Sequence, residues 1–362
     1  MKKHFIHFLC FLLILSPILA QKISKDKKAI IVALDQKEAF YQKTALTIWN
    51  YAEIGYQEYK SSQLLQDILK NESFALEVGV AGLPTGFIAS YGSGKPVISM
   101  LAEFDALPGV SQEAVPFRKE RADGHLSGHA CGHHLFGTGI VSAAIEVKNW
   151  MQNNKIKGTL RIHGTPAEEG GSGKIYMARE GLFDDVDMSM YWHAGNQNSV
   201  RVASNLAIAS VKYRFKGIST HAAGAPERGR SALDGVEAMN YMMNMMREHI
   251  PSASRIHYVI TKGGEAPNVV PAHAEVYYFF RHPDMRVVKD LLERSIKAAE
   301  GAAMGTGTSM TYEMTGGSFN ILPNKILSEV VHANLEMVGG VDYTEAEHLF
   351  AETLMTLSLI HI

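Results

Sequence analysis

Short apolar runs that alternate with helix-like segments constrain the fold of this chain most strongly. In the first half, apolar runs occupy residues 86–91, 97–102, 158–164 and 186–192, and residues 135–152 between them have the length and small side chains of a closely packed helix. Apolar strands separated by helices are typical of an α/β sheet covered on both faces. We therefore predict a mostly parallel sheet flanked by helices, with functional residues at the strand ends.

A different pattern begins near Ile208, where apolar and charged residues alternate as in half-exposed strands. Three further strands and two helices follow, and the whole set comprises residues 209–217, 231–249, 256–261, 274–281, 284–304 and 309–314. The order β-α-β-β-α-β is that of a ferredoxin-like unit. Helical sequence resumes at Asn324. We therefore predict a domain at 207–317 inserted into a catalytic domain formed by 21–206 and 318–362, with residues 29–70 helical around a turn at Gly55.

The N-terminus has the pattern of a secretory signal peptide. Lys2 and Lys3 precede an apolar run at 5–20, and Ala20 provides a small residue at the expected cleavage point. The run is shorter than the ~20 residues that a membrane span requires. We predict cleavage of residues 1–20, a secreted or periplasmic location, and no membrane attachment afterwards; an uncleaved anchor is the alternative.

Charge and cysteine content narrow the possible partners and chemistry. The 35 basic and 37 acidic residues give a net charge of −2, which provides no electrostatic basis for nucleic-acid binding. Of the two cysteines, Cys10 lies in the predicted signal peptide, so Cys131 would be the only one in the mature chain. No intrachain disulfide is then possible. A metal ion would protect such a lone thiol from oxidation.

Cys131 and His133 are separated by one residue in the glycine-rich segment 128–134. On such a turn, a thiolate and an imidazole can converge on one metal ion. The alternative is a buried cysteine near a helix start, beside a histidine that only forms hydrogen bonds.

Two further elements carry ligand-type side chains. Glu168 and Glu169 directly follow an apolar strand, where adjacent carboxylates are costly unless they are paired or bound to a metal. His193 also follows a predicted strand and precedes a glycine turn. The alternatives are a solvated acidic loop and a purely structural histidine.

In sequence order, these elements resemble those of a known family. Glu103-Phe104-Asp105-Ala106-Leu107-Pro108, the segment 128–134, Pro166-Ala167-Glu168-Glu169 and His193 together resemble the aminoacylase/carboxypeptidase G superfamily of metallo-amidohydrolases. The similarity is greatest to the branch of indole-acetyl-amino-acid hydrolases and p-aminobenzoyl-glutamate hydrolases. It extends over roughly residues 30–350.

The resemblance implies a role for each matched residue. The implied metal ligands are Cys131, His133, Glu169 and His193. Glu168 would be the general base, and Asp105 would orient a ligand. In the inserted domain, His221 would reach across a dimer to polarise the scissile carbonyl. Asn268 and Arg281 would contact the carbonyl and the carboxylate of the substrate.

The implied reaction is hydrolysis of the amide bond of a small N-acyl or N-aroyl amino acid. Two divalent ions, zinc or manganese with cobalt or nickel also compatible, would activate water and clamp the tetrahedral intermediate. The inserted domain would serve as a lid and as the interface of a homodimer.

Two features depart from the family pattern. His134 follows Cys-Gly-His where the family commonly has an acidic residue or asparagine. The family also places a last ligand histidine near the end of its catalytic domain, and neither His348 nor His361 lies in a matching motif. We therefore expect a truncated chain with weakened metal binding, little activity and an exposed core face that promotes aggregation.

Two other classes of protein remain as alternatives. Cys131 activated by a histidine would make a cysteine-nucleophile hydrolase, against which the adjacent Glu168 and Glu169 argue. A catalytically impaired homologue would act at most as a metal or ligand binder.

Overall fold

The computed structural model describes residues 24–195 and 197–357. Within them the chain forms two β-sheets, each with its own helices and its own hydrophobic core. The predicted signal peptide at 1–20 and His361 lie outside the described residues.

Three helices precede the first sheet, where the sequence predicts one helical region with a single turn: α1 (Lys25–Gln36), α2 (Glu38–Tyr51) and α3 (Tyr59–Asn71). The backbone of Ala52 is left-handed, with φ of 44°, and this conformation ends α2 just before the turn predicted at Gly55. Ser24 caps α1 by accepting a hydrogen bond from the backbone N–H of Lys27.

The first sheet has five strands: β1 (Ala75–Val78), β2 (Phe87–Ser93), β3 (Val97–Ala102), β4 (Gly158–Gly164) and β5 (Met188–Met190). Their spatial order is β1-β2-β4-β3-β5. Of the four pairings, β3–β4 and β3–β5 are parallel, whereas β1–β2 and β2–β4 are antiparallel. The α/β class is confirmed, but the sheet is mixed, unlike the mostly parallel sheet predicted. The connection from β1 to β2 is too short for the crossover that parallel neighbours need.

Helix α4 (His133–Asn154) connects β3 to the parallel neighbour β4, as expected for a crossover. Its face toward the sheet is buried and includes Phe136, Ile140 and Ile145. Gly137 allows the close approach, because a Cβ there would lie 2.7 Å from the backbone oxygen of Glu103. The short helix α5 (Gly173–Arg179) follows β4. This packing fixes the first residue of α4, His133, against the end of β3.

The second sheet begins at Ala207 and has the predicted β-α-β-β-α-β order: β6 (Ala207–Lys216), α6 (Ala232–Met246), β7 (Arg255–Lys262), β8 (His273–His282), α7 (Met285–Thr306) and β9 (Ser309–Ser318). The strands are antiparallel in the order β7-β8-β6-β9. Both helices pack on one face of this sheet. The domain boundaries, and the function of this unit as a lid and dimer interface, stay predictions.

Two helices complete the described chain, α8 (Lys325–Val338) and α9 (Glu345–Leu357), and the first begins directly after Asn324, where helical sequence is predicted to resume. Among the described residues, no helix combines the length and the apolar character that crossing a membrane would require.

Candidate metal centre

The ends of three adjacent strands bring the predicted ligands together. Strand β3 leads to Asp105, the loop after β4 carries the Glu168–Glu169 pair, and β5 leads to His193. Cys131 and His133 approach from the turn that starts α4. One ligand atom from each of Cys131, His133 and His193 lies within 4.8 Å of the others, and the same holds for His133, Glu168 and Glu169. His133 is therefore the point that two candidate ligand groups share.

Two unusual backbone conformations aim these side chains. Gly132, with φ of 86°, lies between Cys131 and His133 in a region that non-glycine residues rarely adopt. Ala167, buried and with φ of 55°, precedes Glu168. Its backbone N–H donates to the buried carboxylate of Glu58 at 2.8 Å. The turn that presents the glutamate pair is thus held by a side chain from the start of α3.

Asp105 fixes the ring of His133. Nδ1 of His133 lies 2.8 Å from Asp105 Oδ1 and 3.1 Å from the backbone oxygen of Asp105, so in the neutral ring Nδ1 carries the proton and Nε2 is the acceptor. The other carboxylate oxygen accepts from the backbone N–H of Glu169 at 2.9 Å. Burial opposes ionisation of Asp105, but these hydrogen bonds outweigh it and lower its pKa. Asp105 therefore holds both the ring of His133 and the backbone of Glu169 in place.

The interior of the cluster contains acceptors that lack donors. His133 Nε2, Glu103 Oε2 and Glu169 Oε1 are buried, and none has a hydrogen-bond partner within the described part of the chain. His133 Nε2 lies 3.2 Å from Glu103 Oε2 and 3.9 Å from Glu169 Oε1. Lone pairs facing one another in the interior are costly unless a cation or a proton lies between them. The donor set and its unsatisfied atoms fit a divalent metal ion.

Cys131 lies beside His193, with its Sγ 3.2 Å from Nε2 of His193. Burial, followed by the nearby carboxylate of Glu169, raises the pKa of the thiol to about 12. Without a metal ion, this environment keeps the sulfur protonated and therefore a poor nucleophile. In the metal-free chain this environment disfavours the cysteine-nucleophile alternative, whereas the position of Sγ within 4.8 Å of ligand atoms of His133 and His193 fits a metal ligand.

Glu168 is the more accessible member of the glutamate pair, and its side chain is 33% exposed. Its Oε2 lies 3.8 Å from His133 Nε2. Burial, followed by the charge of Glu103, raises its pKa. A carboxylate of raised pKa at the edge of a metal cluster is suited to accept a proton from water.

Glu103 and Lys174 are site residues that the sequence reasoning missed. Glu103 is fully buried directly after β3, and Lys174 donates to its Oε1 from the start of α5. The ammonium group of Lys174 also lies 5.5 Å from the centre of the Tyr191 ring. The sequence feature that could have identified Glu103 is its position as an acidic residue directly after an apolar strand, two positions before Asp105.

The predicted residues of the inserted domain form a separate group. Nδ1 of His221 accepts from the backbone N–H groups of Ala223 and Gly224, at 3.2 and 3.1 Å, so in the neutral ring the proton is on Nε2. The backbone oxygen of Asn268 accepts from Ala222 at 2.9 Å, which holds the two loops together. Among the described residues, no hydrogen bond or ion pair connects His221, Asn268 or Arg281 to the cluster around His133.

The sequence over residues 100–355 matches the family model of peptidase family M20/M25/M40, and this span contains the whole cluster. The chain belongs to this family. It is 40% identical to one of the subunits of p-aminobenzoyl-glutamate hydrolase from Escherichia coli over 323 residues, which cover 89% of this chain and 67% of the relative. The predicted superfamily and branch are confirmed.

Two solved structures share the fold. An aminobenzoyl-glutamate utilization protein from Klebsiella pneumoniae superposes with a TM-score of 0.69 at 20% identity, covering 91% of each chain. A dinuclear metal-binding M20 peptidase from Bacillus subtilis superposes with a TM-score of 0.57 at 20% identity, covering 83% of this chain and 78% of the other. Family membership and the ligand cluster together establish a metal-dependent amidohydrolase. They do not favour a non-catalytic binder.

Proposed function

We propose that this protein hydrolyses the amide bond of N-acyl or N-aroyl amino acids, with p-aminobenzoyl-glutamate as the representative substrate. The observation that carries the proposal is the convergence of thiol, imidazole and carboxylate ligands around the unsatisfied Nε2 of His133. The 40% identity to a chain of the Escherichia coli p-aminobenzoyl-glutamate hydrolase supports the choice of substrate.

We propose two divalent ions as the cofactor, held by Cys131, His133, Glu169 and His193. When bound, they lower the pKa of a water molecule and stabilise negative charge on the amide oxygen. The mixed sulfur, nitrogen and oxygen donors suit zinc or manganese, and also cobalt or nickel. Asp105 keeps His133 in the tautomer whose Nε2 can bind a metal.

Glu168 is the proposed general base and acid. Its carboxylate takes a proton from the attacking water and transfers this proton to the nitrogen of the leaving amine. The raised pKa brings the carboxylate closer to the pKa at which both transfers are efficient near neutral pH.

His221 is the proposed donor to the oxyanion, because its Nδ1 is occupied by two backbone N–H groups and its exposed ring presents Nε2–H. His221 and Asn268 are proposed to serve the partner's site in a homodimer. Arg281 is the proposed ligand of the amino-acid carboxylate, since a guanidinium binds a carboxylate bidentately.

The test of the reaction is turnover of p-aminobenzoyl-glutamate by the 362-residue chain loaded with zinc or manganese, measured as released p-aminobenzoate. Because the sequence predicts weakened metal binding, we expect low activity, which a chelator abolishes and which thiol alkylation of the metal-loaded protein leaves intact. Glu168→Gln should reduce kcat by about 10²- to 10⁴-fold with unchanged metal content. Glu180→Gln, the same substitution at an exposed position of the same domain, is the control. Chelator-resistant turnover, or full activity of Glu168→Gln, would refute the proposal.

The proposed dimer is tested by mixing two inactive variants, His221→Ala and Glu168→Gln. If His221 serves the partner's site, mixed dimers contain one intact site and regain part of the activity. No recovery from a mixture that sediments as a dimer would contradict the shared site.

The proposed signal peptide predicts that the exported protein begins at Gln21, directly after Ala20. N-terminal sequencing of protein from the periplasm or medium checks this. An intact Met1 on the exported protein would refute cleavage.

A further inference from the structure

Two arginines lie opposite each other on the open face of the second sheet. Arg255 on β7 is the direct cross-strand partner of Arg281 on β8. The next residue pair, Ile256 and Phe280, points to the opposite face and is buried under the helices. Since side chains alternate between the faces of a sheet, both arginine side chains leave the sheet on the face without helices. Both arginines are exposed there.

This arrangement leaves positive charge without compensation. Like charges directly opposite in an antiparallel pair destabilise a sheet. Among the described residues, no carboxylate lies within 4.0 Å of either guanidinium group. Arg214, on the same face, differs: its Nε lies 2.7 Å from Glu275 and its Nη2 lies 2.7 Å from Glu313. The sheet thus neutralises Arg214 twice and leaves the Arg255–Arg281 pair open to an external anion.

Both guanidinium groups are also held in position. Nη1 of Arg255 donates to the backbone oxygens of Ser252 and Ser254, at 3.0 and 2.7 Å. The guanidinium of Arg281 lies 5.5 Å from the centre of the Phe279 ring. Within the described chain, these contacts leave the remaining N–H donors of both groups free. Donors fixed in this way lose little conformational entropy when they bind carboxylate oxygens.

We propose that Arg255 and Arg281 together form a subsite for two carboxylates of one amino acid, and that Arg255 selects acidic amino acids. Cross-strand Cβ atoms lie about 4.5–5.5 Å apart, so the two arginine side chains start close enough together for one small dicarboxylate to bridge their guanidinium groups. Arg281 binds the α-carboxylate and Arg255 binds the side-chain carboxylate. This assignment rests on the proposed function, in which Arg281 holds the substrate carboxylate, and it extends that function to the choice of amino acid.

The first test compares the p-aminobenzoyl conjugates of glutamate and glutamine, which differ only in the side-chain carboxylate. Arg255→Gln should raise KM for the glutamate conjugate about 10- to 100-fold, as expected for loss of a charge-assisted hydrogen bond. It should leave kcat and the KM of the glutamine conjugate within about twofold of wild type. Arg214→Gln, on the same face but already neutralised, should alter neither KM. An equal rise for both conjugates, or no rise, overturns the proposal.

The second test does not require turnover. Calorimetric titration of the metal-loaded 362-residue chain should show at least about tenfold tighter binding of L-glutamate than of L-glutamine, and Arg255→Gln should remove this preference. Equal affinity of the wild-type chain for both amino acids overturns the subsite. If the glutamate preference is present but no conjugate is hydrolysed, the proposed reaction fails and the subsite stands, so the two failures are distinguishable.

Discussion

Replacing Asp105 by asparagine tests how the metal cluster is held in place. The two oxygens of the buried carboxylate accept from different donors, the Nδ1–H of His133 at 2.8 Å and the backbone N–H of Glu169 at 2.9 Å. Asparagine provides one oxygen and one NH₂ group. In either orientation of the amide, one of the two donors therefore faces another donor.

The expected losses of stability and metal affinity follow from the one hydrogen-bond donor that Asp105→Asn leaves without an acceptor. A hydrogen bond to a charged acceptor contributes about 1.5–3 kcal/mol, so the free energy of unfolding of the metal-free chain should fall by about that amount. Loss of an orienting partner typically weakens metal binding about 10- to 100-fold. Both effects should appear together in Asp105→Asn, because one carboxylate orients His133 and the backbone of Glu169.

Urea unfolding in the presence of a chelator measures the first effect, and competition with a chromophoric chelator measures the second. Asp187→Asn is the matched control, because Asp187 also accepts a backbone N–H, that of Val97 at 2.7 Å, but at the opposite end of β3. It should leave metal affinity within about twofold of wild type. Wild-type metal affinity in Asp105→Asn would refute the orienting role of this carboxylate.

Two further changes probe the core of the first sheet. Burial lowers the pKa of His163 to about 4 from 6.5, so between these pH values only the unfolded chain takes up the proton. The free energy of unfolding should therefore decrease by about 3 kcal/mol as the pH falls from 6.5 to 4, and this component should be absent from urea titrations of His163→Gln. Gly164→Ala should cost about 1–3 kcal/mol, because its Cβ would lie 2.2 Å from the ring of the buried Phe87. Gly301→Ala is the control, because Gly301 lies within α7 and a Cβ there would meet only a methyl group at 3.9 Å. It should raise the melting temperature, since alanine favours a helix more than glycine does. Equal effects of the two substitutions would show that the space around the new Cβ does not decide the outcome.

The elements predicted best are those whose sequence pattern depends on burial alone. Strands β3 and β4 lie at the predicted positions because each is a continuous apolar run bounded by turn residues. Strand β1 and helix α5 were not predicted, since the four residues of β1 are mostly exposed and α5 spans only two turns. The antiparallel direction of β2 could not be predicted from the sequence either, because strand pairing depends on long-range contacts and not on local pattern.

The sequence by itself determined the chemistry of this protein. Cys131, His133, the Glu168–Glu169 pair and His193, in that order, resemble the motifs of a metallo-amidohydrolase family, and this resemblance indicates a metal-dependent hydrolase. Only the tertiary structure decided which atoms converge. It added Glu103 to the cluster and placed Arg255 opposite Arg281. Residues distant in the chain become neighbours only through strand register and helix packing, and no local pattern encodes these distances.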